Sequence, residues 1–297
     1  MYLKDSWKNF VDDVKKMSEG KFVFAIQTDT HIDFDNSSGK NWSPDDAGLN
    51  LKEFAKETGI DFYANLGDII EGYPNDNFAD MSSDMDNLME RYTKDAPCPV
   101  IIAYGNHDSN HMWADKHGGD IITNDELYRK IIIPIKSTSD KFVFAPQGSY
   151  YYIDFEKVRV IVLNTQDAKT TAEFKISDEQ IKWIYDVALK TNKALIVMSH
   201  TPLAEEISLN KIEGGEKALS LFNDFSKNGG CIIGFFYGHQ HTQSNCVKDG
   251  FNHICFSNLG TRAEVVAVDF EKREILTKCV GDVAAKDDTI KDRKFSF

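Results

Sequence analysis

Phe22-Val23-Phe24-Ala25-Ile26-Gln27-Thr28-Asp29-Thr30-His31 is the stretch on which the reading of this chain turns. Its first five residues are continuously apolar and rich in β-formers, the pattern of a short strand covered on both faces. The run stops at Gln27, and a carboxylate and an imidazole follow two residues apart. In extended backbone, residues i and i+2 point to the same side, so Asp29 and His31 are expected to grip one cation. The same arrangement recurs four times. Residues 64–66 precede Gly67-Asp68-Ile69-Ile70-Glu71, and residues 100–103 precede Gly105-Asn106-His107-Asp108. Residues 194–198 precede Ser199-His200, and residues 231–237 precede Gly238-His239-Gln240-His241. Five of the eight histidines fall inside these clusters.

Five loops at strand ends can converge on one point. Asp68 follows Gly67, which permits a tight turn, and its two carboxylate oxygens can bridge two metals. Asn106 offers a neutral carbonyl oxygen, His200 and His239 offer nitrogens, and Gly238 is expected to turn the backbone so that His239 and His241 share a side. The result is an oxygen and nitrogen cage suited to two divalent cations. Such a cage polarises phosphate and makes hydroxide from water at neutral pH.

Outward from the clusters, helical patterns alternate with the strands. Ser43-Pro44-Asp45-Asp46 reads as an N-cap followed by proline at the first helical position, with Ala47, Leu51, Phe54 and Ala55 recurring at helical spacing. Ser177-Asp178-Glu179-Gln180 reads as a capping box, with Ile181, Ile184, Tyr185 and Ala188 on one face. Residues 150–154 and 158–163 flank a hairpin turn. Residues 253–257, 265–270 and 274–279 read as further antiparallel strands. Strand–helix alternation giving way to a strand-rich last third predicts two stacked sheets flanked by helices, in a single domain over 1–297. An N-terminal helix occupies 1–20 and a charged tail 282–297. The irregular segment 109–147, with residues 34–42 and 72–78, is expected to rim the site. Trp7 and Trp183 are expected in the core. Trp42, Trp113, Tyr73 and Phe78 are read as loop packing, with stacking on a base or lipid-like group as the alternative; His111, His117 and His253 are read as surface or hydrogen-bonded residues, with His111 and His117 on the substrate rim as the alternative, and Gly118-Gly119 as loop.

The formal net charge of −13 argues against nucleic-acid backbones and anionic lipid as partners, since both need basic surfaces. A pair of divalent cations adds roughly four positive charges locally, so an anionic small molecule is still accepted. The five cysteines form no CxxC pair and are expected to be free thiols in a reducing, cytoplasmic compartment. Residues 1–17 lack the apolar stretch of a secretion signal, and no run approaches the roughly 18 apolar residues of a membrane span.

All five clusters in this order, each after an apolar run, resemble the calcineurin-like metallophosphoesterase superfamily over about 22–241. The resemblance implies a four-layer α/β/β/α sandwich of two mixed β-sheets flanked by helices, with a dinuclear site at one end of the sheets. It assigns Asp29, His31 and His241 to one metal and Asn106, His200 and His239 to the other, with Asp68 and a hydroxide bridging them. It gives His107 contact with the phosphoryl group or protonation of the leaving oxygen, with Asp108 orienting that imidazole; Asp108 as a helix cap is the alternative. Glu71 is expected to hydrogen-bond around the site without ligating. Purple acid phosphatases carry a tyrosine where Glu71 stands, and serine/threonine protein phosphatases carry aspartate–arginine–glycine after the bridging residue, where this chain has Glu71-Gly72-Tyr73. The third cluster ends in Asp108 where protein phosphatases usually have glutamate. The chain thus looks more like the phosphodiesterase and small-molecule phosphatase branch. The expected activity is dinuclear-metal-dependent hydrolysis of a small phosphodiester or phosphomonoester with Mn²⁺, Fe²⁺ or Zn²⁺. The alternatives are a noncatalytic metal-binding module of the same fold and a metal-dependent nuclease.

Overall fold

The apolar runs do form strands, and their order brings the ligand-bearing ends together. The computed structural model describes residues 3–32, 48–72, 78–111, 113–114, 120–146, 148–167, 174–257, 262–281 and 291–297. Among them the strands are β1 (Phe22–Gln27), β2 (Phe62–Asn65), β3 (Val100–Ile102), β4 (Phe142–Phe144), β5 (Tyr151–Asp154), β6 (Val158–Val162), β7 (Ala194–Met198), β8 (Ile232–Tyr237), β9 (Ser244–Lys248), β10 (Phe251–Cys255), β11 (Arg262–Asp269), β12 (Glu274–Gly281) and β13 (Arg293–Ser296). One sheet runs β13-β12-β11-β1-β2-β3 and the other β4-β5-β6-β7-β8-β10-β9. Both are mixed. β1, β2 and β3 are parallel, whereas β11 and β12 are antiparallel. β6, β7, β8 and β10 are parallel, whereas β4, β5 and β9 are antiparallel additions. Parallel neighbours end on the same side, so the loops after β1, β2 and β3 leave one sheet beside one another, and those after β7 and β8 leave the other.

Aromatic packing fastens the two sheets. Phe24 stacks on Phe62 at 4.6 Å and meets Phe236 of the second sheet edge-on at 5.7 Å. Phe22 meets Phe155 at 5.0 Å. All but Phe22 and Phe155 are buried, and burying each such ring is worth about 1.5–3 kcal/mol. Helices close the outer faces. Trp7 meets Phe54 of helix Leu49–Thr58 at 5.5 Å, and Phe222 of helix Gly215–Lys227 meets Phe235 at 5.3 Å. This is the expected α/β/β/α layering.

Several local expectations change. The N-terminal segment is two short helices, Asp5–Lys8 and Val11–Ser18, rather than one over 1–20. Helix Leu49–Thr58 starts behind Gly48 at φ 72; the expected Ser43 cap, Ala47, residues 34–42 and Tyr73 lie outside the described residues, as does the side chain of Phe78. Ser177 caps its helix by accepting the Gln180 N–H, but the Gln180 side chain turns inward to Asn164 and Asp167 instead of closing the box. Beyond Trp183 the helix widens into a π-turn over Ile184–Ala188. This rotation leaves Tyr185 exposed, off the face that buries Ile184 and Ala188. The segment expected to be irregular contains a capped helical run, Asn124–Leu127 through Ile133–Lys136, and β4. β10 is antiparallel to β9 but parallel to β8. Part of the charged tail docks as β13 on β12; residues 282–290 lie outside the described residues. Trp7 and Trp183 are core residues and all five cysteines are free. No helix among the described residues is long and apolar enough to cross a membrane.

β3 is the last strand of its sheet, so the outward N–H and C=O of Ile102 have no neighbouring strand. The Tyr151 hydroxyl serves both, accepting from Ile102 N at 2.9 Å and donating to Ile102 O at 2.8 Å. Tyr151→Phe strands two buried backbone groups, each loss costing roughly 1–3 kcal/mol. The denaturation midpoint should fall with an unchanged slope; an unaltered midpoint would show that Tyr151 does not serve this edge.

Candidate metal centre

Asp29 and His31 follow β1, Asp68 follows β2, Asn106 and His107 follow β3, His200 follows β7, and His239 and His241 follow β8. The loops are laced together by their own backbones. Asp29 N donates to Gly67 O at 2.9 Å, His31 N to Asp68 O at 2.9 Å and Gly238 N to His200 O at 3.0 Å. Side chains converge through backbone conformation of an unexpected kind. Asp29, His31, Asp68, His239 and His241 are all left-handed, at φ 50, 45, 52, 67 and 51. The extended geometry expected for Asp29 and His31 is therefore wrong, although the two do meet. Each left-handed non-glycine costs roughly 1–3 kcal/mol and persists only where the surroundings over-determine it.

The motif glycines make that close packing possible. A Cβ on Gly105 would lie 2.1 Å from both the N and Oδ1 of Asp68, and one on Gly67 2.6 Å from Gly105 N. Gly67 is also left-handed at φ 100, as its turn requires. Gly238 acts otherwise than expected. It is needed for proximity, since a Cβ there would lie 1.9 Å from Thr28 Oγ1 and 2.4 Å from Asp29 Oδ2; the positive φ falls on the two histidines that follow.

Two groups of donor atoms share Asp68. Asp29, His31, Asp68 and His241 offer atoms within 4.8 Å of one another, and so do Asp68, His200 and His239. Asp68 Oδ2 lies 3.2 Å from His200 Nε2 and 3.8 Å from His31 Nε2. Asn106 Oδ1 is 3.1 Å from His200 Nε2. All seven residues expected to ligate are thus brought together.

The ring nitrogens facing away from the centre have acceptors of their own. His31 Nδ1 meets Glu71 Oε2 at 3.0 Å, His200 Nδ1 meets Leu66 O at 2.9 Å, and His239 Nε2 meets Asn210 Oδ1 at 2.7 Å. Those partners assign the N–H outward and a lone pair inward. Yet inward nitrogens approach one another, His31 Nε2 to His241 Nε2 at 3.0 Å and His239 Nδ1 to His200 Nε2 at 3.2 Å. With lone pairs turned inward from His31 and His239, these short separations fit a positive charge shared between the rings, carried by a proton or by a cation. The titration directions agree. Burial opposes charge on Asp68, but His200 and His107 hold its carboxyl well below the usual range. Asp29 is likewise lowered against its burial, by the His241 hydrogen bond and His200. Burial would lower His200, but the charge and hydrogen bond of Asp68, with Asp29 and Asp108, raise it to about 9. Burial and His200 push His239 down to about 4. The acidic cage calls for positive charge at its centre, and its O/N donor set fits a divalent cation.

His107 stands at the edge of the group, with Nε2 4.0 Å from Asp68 Oδ2. Its Nδ1 donates to the Glu71 carbonyl at 2.5 Å, and the Trp113 ring lies 5.9 Å away. Asp108 does not orient it. The Asp108 carboxylate accepts from Gly105 N at 2.8 Å, Ile69 N at 2.7 Å and Ile70 N at 3.3 Å. It knits the second and third loops, while the Glu71 carbonyl holds His107. Burial and Asp68 raise the Asp108 carboxyl to about 7. Glu71 hydrogen-bonds as expected, and Trp113 rims the site beside His107 as its segment was expected to; Asn210 and Thr28 were not anticipated there. Thr28, which donates to Asp29 Oδ2 at 2.6 Å, stands inside the first motif, but nothing near Asn210 in sequence marks it. His253 is buried in β10, stacked on Phe235 at 4.8 Å, and His111 is buried in the third loop. His117 and Gly118-Gly119 lie outside the described residues.

A calcineurin-like phosphoesterase family model matches residues 22–243. The fold is similar to a dimetal phosphatase from Danio rerio, at 15% identity and TM-score 0.64 over 93% of this chain and 98% of that one. It is also similar to GAP50, described as the anchor in the inner membrane complex of Plasmodium, at 14% identity and TM-score 0.52 over 93% and 89%. No curated protein sequence matches significantly. Likeness at these identities speaks for the fold.

Gly238→Ala drives a methyl group into Thr28 and Asp29. Overpacking of this kind costs roughly 1–3 kcal/mol, to be read as a lowered denaturation midpoint; a variant as stable as the parent would show that the loop yields freely.

Proposed function

The chain belongs to the calcineurin-like phosphoesterase family, and on that premise we propose that it hydrolyses a small-molecule phosphate ester using two divalent cations. Asp29, His31 and His241 hold one, Asn106, His200 and His239 the other, and Asp68 serves both. The observation that carries this reading is the pair of facing imidazole nitrogens, 3.0 Å and 3.2 Å apart, either side of one shared carboxylate. Divalent cations bound there supply Lewis-acid polarisation of a phosphoryl oxygen and a nucleophile drawn from water at neutral pH.

The residues supply the rest. Glu71, Leu66 and Asn210 fix the ring orientations, so the donor atoms are preorganised. Glu71 also holds His107 by its carbonyl, leaving Nε2 to contact the phosphoryl group and deliver a proton to the departing oxygen. Asp108 is a positioning residue that keeps the Asp68 and Asn106 loops together. No side-chain nucleophile is required, so the reaction proceeds without a phosphoenzyme.

The fold alone does not decide for catalysis, since it is shared with a protein described as an anchor. The complete set of seven donor residues, together with His107, favours turnover over a noncatalytic module. The net charge of −13 disfavours nucleic acid as substrate. Five free thiols favour a reducing, cytoplasmic setting.

A panel of bis-p-nitrophenyl phosphate, p-nitrophenyl phosphate, nucleotides and cyclic nucleotides with added Mn²⁺ should give hydrolysis that a chelator abolishes. Activity that survives metal removal contradicts the reading. In a single turnover, label from heavy water oxygen should enter the phosphate product. His107→Ala should lower kcat by roughly 10²–10⁴-fold with metal content near normal, whereas Asp68→Asn should lose metal by elemental analysis. Full activity in the first variant, or full metal content in the second, removes the role assigned to that residue.

A further inference from the structure

The histidines of the site are not held alike. His31, His200 and His239 each have a fixed partner behind the ring, whereas the described contacts of His241 point inward, to Asp29 Oδ1 at 3.2 Å and His31 Nε2 at 3.0 Å. Its side chain is also 44% exposed. With left-handed backbone at both 239 and 241, the course of the loop has to be held from outside. Among the described residues no partner stands behind the His241 ring, so its aim depends on where its backbone is put.

That constraint lies immediately downstream. The Gln243 side chain donates to Glu264 Oε1 at 3.0 Å and to Lys291 O at 2.9 Å, and its Oε1 accepts from Lys291 N at 2.9 Å. Arg293 donates to Glu264 Oε2 at 2.9 Å and to the carbonyls of Ser244 and Cys255, each at 3.0 Å. Glu264 is fully buried and pairs in register with Ile26 of β1, the strand that delivers Asp29. Cys255 Sγ in turn lies 3.4 Å from Gly238 O. The C-terminal end of the described chain therefore ties the loop carrying His241 to the strand carrying its partner ligand. The tie runs through side-chain bonds to the buried Glu264 carboxylate and to main-chain atoms of Ser244, Cys255 and Lys291.

We propose that Gln243, Glu264, Arg293 and the main chain of Lys291 form a clasp of positioning residues for one half of the dinuclear site, the half that contains His241. The proposal rests on the reading of Asp29, His31, Asp68 and His241 as cation ligands. Its effect is asymmetric. The His200 and His239 rings have fixed partners behind them, Leu66 O and Asn210 Oδ1, so their aim is set without the clasp even though His239 rides on the same loop.

Mn²⁺ titration of the full chain by calorimetry, with melting temperature recorded alongside, tests it. The parent protein should take up two Mn²⁺. Gln243→Ala, which leaves the Glu264–Arg293 ion pair in place, should weaken one Mn²⁺ by ~10–100-fold, the range for loss of a group that orients a ligand. The other Mn²⁺ should bind as before, and activity should return with excess Mn²⁺. Arg293→Ala should do the same more strongly. Should that variant not fold, Gln243→Ala decides alone. Two unchanged affinities in Gln243→Ala overturn the clasp and leave the function standing. Equal weakening of both sites with a lowered melting temperature shows a merely structural role and also overturns it. A parent protein that binds fewer than two Mn²⁺ overturns the functional reading, and the clasp with it.

Discussion

One buried carboxylate, Asp68, organises the ends of both sheets. It is fully enclosed, so its charge is tolerated only because histidines from both sheets surround it, since an unpaired buried charge costs several kcal/mol. A single oxygen, Oδ2, faces His200 of one sheet and His31 of the other. Its second oxygen accepts the His107 N–H at 2.8 Å and so fixes the third loop as well. The two sheets thus have one electrostatic reason to keep their strand ends in register, in addition to the aromatic packing between them.

Holding that carboxylate so close to other loops has a conformational consequence. The backbones approach to distances at which a Cβ has no space, so glycine stands at 67, 105 and 238. Asp68 beside Gly67 and His239 beside Gly238 then take left-handed conformations, as do Asp29, His31 and His241, and aim their side chains at the centre. This strain is offset by hydrogen bonds from loop to loop and by the two packed sheets beneath. The same rigidity preorganises the donor atoms, which is what a site needs if its ligands are not to rearrange on each turnover.

Charge is distributed in keeping with this. The chain carries −13 overall, yet the centre itself calls for positive charge, as the raised His200 and depressed Asp68 show. An acidic surface around a centre that calls for positive charge is in keeping with the proposed small anionic substrate and not with a polyanion.

The local sequence marks the strands that carry the clusters and the residues proposed as donors, but not β4, β9 or β13. Apolar runs such as 22–26 and 194–198 are buried whatever the topology, and short clusters at their ends travel with them. The layering and the seven donor residues were therefore legible, because each motif is local and rides on a rigid element. The tertiary structure decided the rest. That Asp108 knits loops rather than orienting His107, and that Glu71 holds two imidazoles at once, depend on how loops from different strands cross. Asn210 behind His239, Leu66 behind His200 and Arg293 on the carbonyl of Ser244 are separated from their partners by 29 to 134 residues. No periodicity or spacing encodes such pairs. Which nitrogen of a ring faces inward is fixed by an acceptor that arrives from elsewhere in the chain, and only the folded packing of both sheets brings it there.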